Sequence, residues 1–501
     1  MTEHPAPVNP TPWIPPEIAA AWDVAVTQGD NPVAYLARSL LITGTREEVQ
    51  ERAARIQELA KTLNIEIVVK EIGLSASREV ADIRKQWPEL ERAPWQLELH
   101  GDGTSDAHDL LTLLRNVGED KGVSLDHLMT CAPYYAGMPY YAGMPYYAGM
   151  PYYAGMPQAT LSYAMPGSGG RSPVAVVLPD PRKEPEKGLR RPVVVVPDTG
   201  LEKHDWFPEP RPGATERTDT AEVYVDGHLL GMNGTVPGSQ VPPVWRNPLD
   251  GSVRPFAGHG TFIAGIIRQI CPEAIVWGIP VMQDNGMVPE TCLLATLDAL
   301  RVRQAKALAD GSPDDVFDVL SLSLGYYHEK PEDLQADAAL WEVLEHLGRL
   351  GVLVVVSAGN NSTTARTYPA AFAEIQRESS RLPLASVGAL NPNGTVAYFS
   401  NGGDWVSCYR SGAALVSTMP MVPLNHGQPQ VALEHEGRPR ATIDPDDFTG
   451  GFAVWSGTSF AGPVLAGELA SQLLKPVGTD LDALLERGWA AVGEKLRWAR
   501  P

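Results

Sequence analysis

Long apolar runs that alternate with helical segments constrain the fold of this chain more than any other feature. The three runs are Val193–Val196, Val316–Leu324 and Gly351–Val356. Their many β-branched residues are typical of strands buried on both faces of a parallel sheet. Helical patterns lie at 261–270, about 290–309 and about 332–350. This alternation predicts an α/β domain over residues 173–501, with a parallel sheet flanked by helices through right-handed β-α-β crossovers.

The segment 33–131 has a different pattern and is predicted to form a small α+β domain. Its strands and helices follow the order β-α-β-β-α-β, which is a ferredoxin-like arrangement. The first helix is preceded by Thr45 and Glu48 at the spacing of a capping box. Residues 1–32, which are rich in proline, are predicted to be an arm in front of this domain.

A tandem repeat separates the two predicted domains, within a linker that spans residues 132–172. It consists of four identical copies of Pro-Tyr-Tyr-Ala-Gly-Met, which start at Pro133, Pro139, Pro145 and Pro151. Proline and glycine in every copy exclude a regular helix and a central strand. One interpretation is an extended linker. The other is an adhesive segment whose tyrosines bind a partner.

Charge and composition exclude several classes of function. The 501 residues include 40 basic and 60 acidic side chains, a net charge of −20, so we expect no nucleic-acid partner. We expect no membrane partner and no secretory signal, because the chain has neither a long apolar stretch nor a basic start followed by an apolar run. The prediction is therefore a cytoplasmic protein. The four scattered cysteines predict free thiols, and we expect no metal and no cofactor.

One short motif near the C-terminus has the form of a nucleophile site. The residues Gly457-Thr458-Ser459 are followed by Ala461 and Pro463, in a pattern that predicts the first turn of a helix. A serine there lies beside free backbone amides and the positive end of the helix dipole, which favour a developing oxyanion. Taken alone, Ser459 could equally be a helix cap.

Two upstream motifs supply the partners that a serine nucleophile needs. Asp198 follows the run Val193–Val196, and His259 lies between two glycines at a predicted helix start. Histidine can take the serine proton, and a carboxylate can fix the imidazole tautomer. Taken alone, Asp198 suits a turn and His259 a structural role. The order Asp, His, Ser along the chain favours catalysis, because it is one of the known orders of a catalytic triad.

These motifs resemble those of the subtilisin-like (subtilase) serine peptidases over about residues 190–475. The resemblance implies that Asp198 orients the base, that His259 is the base and acid, and that Ser459 is the nucleophile. It also implies an oxyanion site that combines the Asn360 side chain with the backbone amide of Ser459. The implied substrate-binding residues form two rims: Ser323, Leu324 and Gly325 on one side, and Ser357, Ala358 and Gly359 on the other. A peptide would add as a strand along the first rim, where Gly325 leaves it room.

The position of the domain 33–131 resembles that of the inhibitory propeptide in this family. The resemblance implies that this domain packs on the catalytic helices with its tail in the cleft. The leading hypothesis is thus a serine endopeptidase that cuts peptides or proteins and is inhibited intramolecularly by residues 33–131, as a zymogen. The alternative is a proteolytically silent binding or scaffold protein that holds a partner with the tyrosine-rich repeat.

Overall fold

The computed structural model describes the chain in segments. The described residues are 14, 16–27, 32–74, 78–131, 171–177, 179–208, 218–232, 253–330, 338–421, 429, 431–474 and 480–501. The tandem repeat lies outside the described residues, and so does most of the predicted arm.

The N-terminal part contains the predicted β-α-β-β-α-β unit with additions before and within it. Its strands are β1 Val24–Val26, β2 Ala34–Gly44, β3 Ile65–Glu71, β4 Ala93–Gly101 and β5 Val123–Thr130. Its helices are α1 Pro16–Trp22, α2 Arg46–Ala60, α3 Arg78–Gln86 and α4 Ala107–Val117, with 3₁₀ turns at Lys61–Leu63 and Pro88–Glu91. The antiparallel sheet has the order β5-β2-β4-β3, and β1 pairs with β2. The predicted α+β class and the predicted order of elements along the chain are therefore confirmed.

The helix α2 begins at the capping box that the sequence predicts. The Glu48 amide donates to the Thr45 hydroxyl at 3.3 Å, and the Thr45 amide donates to the Glu48 carboxylate at 3.0 Å. Both bonds satisfy amides that the first helical turn leaves without partners. The helix then buries Val49, Ala53 and Ile56 against the sheet.

The C-terminal part is built around a parallel sheet. Its strands are β6 Ser172–Pro173, β7 Val193–Asp198, β8 Tyr224–Val225, β9 His228–Leu229, β10 Ile275–Pro280, β11 Met287–Pro289, β12 Val319–Leu322, β13 Tyr326–Tyr327, β14 Leu353–Ser357, β15 Thr367–Tyr368, β16 Leu384–Leu390, β17 Cys408–Ser411, β18 Leu415–Thr418, β19 Ala432–His435, β20 Arg438–Ala441 and β21 Phe452–Trp455. Six of them form the parallel sheet, in the order β10-β7-β12-β14-β16-β17. The three apolar runs contribute β7, β12 and β14, so the predicted α/β sheet is confirmed.

Helices cover both faces of this sheet. They are α5 His259–Ile270, α6 Glu290–Ala309, α7 Ala338–Arg349, α8 Thr458–Gln472 and α9 Leu481–Leu496, with a 3₁₀ turn at Ala370–Glu374. Successive residues of β7 point to opposite faces, because the side chains of a strand alternate. Val193 and Val195 pack in the cluster that contains α6 and α7, whereas Val194 and Val196 pack with α5 and α8. Burial on both faces explains the near-continuous apolar sequence of this strand.

The N-terminal sheet packs on helices α6 and α7. One face of that sheet carries α2 and α4, and the opposite face contributes Leu41, Ile72 and Met129 to the same core as α6 and α7. The strand β11 pairs antiparallel with β5 and thereby joins the two parts through backbone hydrogen bonds. Among the helices of the described segments, none combines the length and the apolar character that crossing a bilayer requires.

Candidate active site

Asp198 and His259 meet where β7 ends. Asp198 is the last residue of β7, and His259 is the first residue of α5. Both side chains are buried, and the Asp198 Oδ1 atom lies 2.8 Å from the His259 Nδ1 atom. Asp198 Oδ1 also accepts the backbone N–H of Thr199 at 2.7 Å. A carboxylate at Nδ1 fixes the tautomer and leaves Nε2 free to exchange a proton.

Small residues bring these two motifs together. A Cβ atom on Gly260 would lie 2.3 Å from the carbonyl oxygen of Gly200, so only glycine lets α5 begin this close to the turn after β7. The Gly260 amide donates to the Thr199 hydroxyl at 2.9 Å. The Asp-Thr-Gly and His-Gly-Thr motifs are therefore parts of one packed unit, although they lie far apart in sequence.

Aromatic rings enclose the imidazole. The ring centroids of Phe256, Trp455 and Phe460 lie 5.6, 5.4 and 5.3 Å from that of His259. The Arg171 guanidinium stacks over Trp455 at 4.9 Å. This wall keeps water from the sides of the ring, and electrostatic interactions are stronger in such a water-poor site.

Ser459 is the second residue of α8 and lies beside this enclosure. The ring of the next residue, Phe460, packs on His259, and Ser459 is 3 % exposed. The Ser323 hydroxyl donates to the Ser459 carbonyl oxygen at 2.9 Å. At the start of a helix the backbone amides lack helical partners, so they can bind an anion.

The orientation of the Asn360 amide is fixed by Thr458. The Thr458 backbone N–H and hydroxyl both donate to Asn360 Oδ1, each at 2.8 Å. A backbone N–H can only donate, so the acceptor must be the carbonyl oxygen of the side chain. The Nδ2 atom of Asn360 is therefore turned toward the start of α8, where it would lie 3.7 Å from a Cβ atom on Gly457.

The segment Ser357–Gly359 is held against the start of α8 and a buried asparagine. The Gly359 amide donates to the Thr458 hydroxyl at 3.0 Å, and the Ala358 carbonyl accepts from Asn401 Nδ2 at 3.0 Å. Gly359 has a φ of +99°, and a Cβ atom there would lie 2.5 Å from Asn401 Nδ2. Two constraints thus require glycine at this position.

The last strand of the N-terminal part lies in the cleft beside Gly325. Thr130 and Gly325 exchange both backbone hydrogen bonds at 3.0 Å, as a narrow antiparallel pair does. On its other side, β5 pairs with β11, and the Cys131 amide donates to the Gly286 carbonyl at 3.0 Å. Leu324 is buried next to this pair. An extended chain in this groove therefore has backbone partners on two sides.

Burial shifts the pKa values of two groups near the Asp198–His259 pair. Burial raises the pKa of Asp284 to about 6, the Arg171 charge opposes the rise, and the Asp198 charge adds to it. Burial also raises the pKa of the Cys131 thiol well above its usual value, and the Asp198 charge adds to that rise. Unless a cation binds its sulfur, Cys131 is therefore a neutral thiol at neutral pH.

The structure brings the sequence-predicted residues to one end of the parallel sheet and adds supporting residues. Thr458 was part of the recognised motif, yet its bonds to Asn360 were not predicted. Asn401 and the rim Gly286–Pro289 were not predicted either. No local pattern marks Asn401, because its partners lie 34 to 74 positions away in the sequence.

Comparison with known proteins identifies the family of this chain. Residues 192–475 match the model of the subtilase family of peptidases, Peptidase S8. Because the match covers more than half of the 501 residues, the chain belongs to the subtilase family.

Several known proteins are similar to parts of the chain. Alkaline serine protease ver112 of Corniculantispora psalliotae is 29% identical over 167 residues, which are 32% of this chain and 38% of that protein. An intracellular serine protease of Paenibacillus polymyxa is 27% identical over 225 residues, 43% of this chain and 53% of the relative. A solved cold-adapted subtilisin-like serine proteinase has a TM-score of 0.36 at 19% identity, covering 61% of this chain and 82% of that one. The chain thus spans between a third and about half of the length of the curated relatives described here.

Proposed function

We propose that this protein is a serine endopeptidase that hydrolyses peptide bonds through an acyl-enzyme. The observation that carries this proposal is the buried hydrogen bond of 2.8 Å between Asp198 and His259 in a member of the subtilase family. The relatives named above are serine proteases, which supports the same activity for this chain.

The proposed mechanism assigns one role to each member of the triad. His259 Nε2 takes the Ser459 hydroxyl proton as that oxygen attacks the carbonyl carbon, and then gives the proton to the leaving amine. Asp198 stabilises the imidazolium through Nδ1 and remains ionised. Water then repeats the sequence on the acyl-enzyme, with His259 again as the base, and the acid product leaves.

The proposed oxyanion site combines Asn360 Nδ2 with the backbone amide of Ser459. Because Thr458 already occupies Asn360 Oδ1, the amide needs no reorientation when charge develops on the substrate oxygen. Such preorganised donors stabilise the transition state more than the bound substrate.

Replacing Asn360 with alanine is expected to lower kcat by about a hundred- to a thousand-fold with little change in KM. The magnitude is that observed in subtilisin for loss of an oxyanion donor. Steady-state hydrolysis of a chromogenic peptide measures it. Asn391→Ala, which changes a half-buried asparagine whose side chain bonds within the loop after β16, is the matched control and should leave both constants unchanged. An equal loss in kcat for both variants would contradict the proposed role.

The proposed substrate is an extended peptide that adds as a strand beside Ser323–Gly325, with Ser357–Gly359 walling the pocket of the residue before the cut bond. Ser323 lies two positions before Gly325, and its hydroxyl donates to the Ser459 carbonyl oxygen. The strands of an antiparallel pair run in opposite directions, so a peptide residue paired with Gly325, as Thr130 is, is followed two positions later by the residue opposite Ser323. That later residue would be the one presented to Ser459.

We also propose that residues 33–131 inhibit residues 173–501 from within the chain, with 132–172 as the connecting segment. This is supported by β5, which already takes the backbone partners that a substrate needs at Gly325. The first self-cleavage is expected between about residues 131 and 190, near the start of the repeats, and Ser459→Ala should prevent it.

The cytoplasm is the proposed location. All four cysteines are free, which suits a reducing compartment. A relative in Paenibacillus polymyxa is named an intracellular serine protease, and this supports the same compartment here.

A fluorophosphonate probe tests the proposed activity, because it labels only a serine whose proton is removed by a base. We expect mass spectrometry to place the label on Ser459, slowly in the intact chain and faster once the segment 132–170 has been cut. Ser459→Ala should remain unlabelled, and Ser471→Ala, on the same helix, should label normally. If neither form of the unaltered protein is labelled, the peptidase proposal fails and a silent binding protein is the better description.

A further inference from the structure

Cys131 points its thiol at the catalytic pair from the opposite side of the cleft. Cys131 directly follows Thr130, the residue that pairs with Gly325, and its backbone amide donates to the Gly286 carbonyl. The Cys131 Sγ atom lies 3.8 Å from His259 Nδ1 and 3.1 Å from the Met282 sulfur. The side chain is 3 % exposed. A thiol buried in this position has no part in the proposed reaction.

The donor atoms of Cys131, Asp198 and His259 are close enough to share one ion. A thiol sulfur, a carboxylate oxygen and an imidazole nitrogen lie within 4.8 Å of one another. Sulfur and nitrogen ligands of a tetrahedral zinc ion are about 3.6 Å apart, given bond lengths of about 2.3 and 2.0 Å. The observed separation of 3.8 Å therefore needs little adjustment.

Asp198 offers an oxygen that no hydrogen bond occupies within the described part of the chain. Its Oδ1 atom holds His259, whereas Oδ2 is buried and has no hydrogen-bond partner there. A buried carboxylate oxygen without a partner is costly, and a cation would remove that cost. This is a second observation, independent of the cysteine, that points to a ligand.

Charge balance favours a divalent ion at this position. Thiolate and carboxylate together carry two negative charges, which a divalent cation neutralises in a buried site. The ion would displace the thiol proton, which is released, and the proton on His259 Nδ1 would move to Nε2, because a metal-bound neutral imidazole keeps one N–H. Sulfur, nitrogen and oxygen ligands in a tetrahedral arrangement suit zinc.

We propose that Cys131, Asp198 and His259 form a zinc-binding site that exists only while residues 33–131 are docked. Cys131 comes from the N-terminal part, whereas Asp198 and His259 come from the parallel-sheet domain, so the ion bridges the two. Bound zinc stabilises the docked state by mass action, since it binds no such site after separation. It also withdraws His259 Nδ1 from Asp198, so the base loses its orienting partner.

The site is tested in the full chain with Ser459→Ala, which prevents self-cleavage and makes the result independent of peptidase activity. Cobalt(II) is the spectroscopic probe, because thiolate ligation produces a charge-transfer band and tetrahedral geometry produces intense visible bands. We expect one cobalt per chain, displacement by zinc, and a higher thermal midpoint in zinc. Absence of the thiolate band in this protein would overturn the proposal.

Two cysteine variants of the same protein locate the ligand. In Cys131→Ala the band should vanish and the Kd for zinc should rise at least about a hundredfold, since even outer-shell losses cost about 10- to 100-fold. In the matched variant with Cys271, Cys292 and Cys408 all changed to alanine, the band should persist, because Cys131 is the remaining thiol. Loss of the band there, or its survival in Cys131→Ala, would show that the zinc ligand is another cysteine.

The effect of zinc on self-cleavage rests on the proposed peptidase function and is measured in a separate experiment. In the unaltered chain, zinc should slow the self-cleavage expected after Cys131, and a chelator should restore it. If the inactive protein binds cobalt as described but zinc leaves self-cleavage unchanged, the site stands and its regulatory role is rejected.

Discussion

Replacing Ser459 with alanine is expected to lower peptide hydrolysis by about a million-fold, the magnitude observed for the nucleophile in subtilisin. The loss follows because the proposed acyl-enzyme forms on the Ser459 hydroxyl, and without that hydroxyl water must attack the substrate directly. His259→Ala should cost about as much, because nucleophile and base act as a unit and the loss of either removes the same path. The double variant should be scarcely slower than either single variant.

The variants can be compared only if all of them are cleaved between the two domains, and an inactive variant cannot cleave itself. The recognition sequence of a specific protease, inserted into the segment 132–170, allows every variant to be opened in the same way before the assay. Ser471→Ala is the matched control: its hydroxyl bonds the Glu468 carbonyl within α8, so the change leaves the site untouched. Comparable rates in Ser459→Ala and Ser471→Ala would disprove the nucleophile assignment.

Features set by local sequence were predictable. Each apolar run became a strand of the parallel sheet, because burial on both faces leaves little alternative for a β-branched segment. The capping box at Thr45 starts α2 as predicted, since its two bonds join residues three positions apart. The helix predicted at about 290–309 spans Glu290–Ala309. In each case the determinant lies within one element.

Features set by contacts between distant segments were not predictable in detail. His127 lies between Glu290 and Glu329, at 2.9 and 3.0 Å, although 163 and 202 positions separate it from them. Cys131 reaches His259 across 128 positions. No periodicity or motif encodes such pairs, because they depend on how two finished surfaces fit together. The rim at β11 was not predictable for the same reason, whereas the site residues could be proposed from the sequence because each lies in a short motif.

The docking of the two parts uses β5 as a shared element. Asp126, on β5, accepts the Thr291 amide at 3.0 Å in the first turn of α6, where Pro289 supplies no side-chain cap. Burial raises the pKa of Asp126, and hydrogen bonds from Thr291 and Ser39 oppose the rise. The N-terminal part thus caps a helix of the other domain and, three residues later, pairs Met129 and Thr130 with the cleft. Weakening the cap should therefore open the cleft.

Combining Asp126→Ala with His127→Ala in the full chain is expected to raise hydrolysis of an added peptide by at least about a hundredfold. Truncating a buried, hydrogen-bonded charge costs about 2–5 kcal/mol at an interface, and about 1.4 kcal/mol corresponds to tenfold in the docking equilibrium. Since the rate follows the fraction of molecules with an open cleft, the gain ends when that fraction approaches one. The rate is divided by the amount of Ser459 that the fluorophosphonate probe labels to completion in a parallel sample whose segment 132–170 has been cut, so that neither slow labelling of a closed cleft nor a change in folding yield enters the comparison.

The matched control changes the same residue types on an exposed edge of the same domain. Asp102 and His100 are both exposed, and their side chains bond Thr104 and Glu98 of the same domain, so Asp102→Ala with His100→Ala should leave the rate unchanged. If both double variants behave alike, residues 33–131 do not inhibit through this interface. If the Asp126/His127 variant instead loses activity per labelled serine, then the N-terminal part supports the active conformation and does not block it. An increase confined to that variant would show that the cleft is closed by the cap on α6 and the two carboxylates around His127, because the catalytic residues are the same in all three proteins.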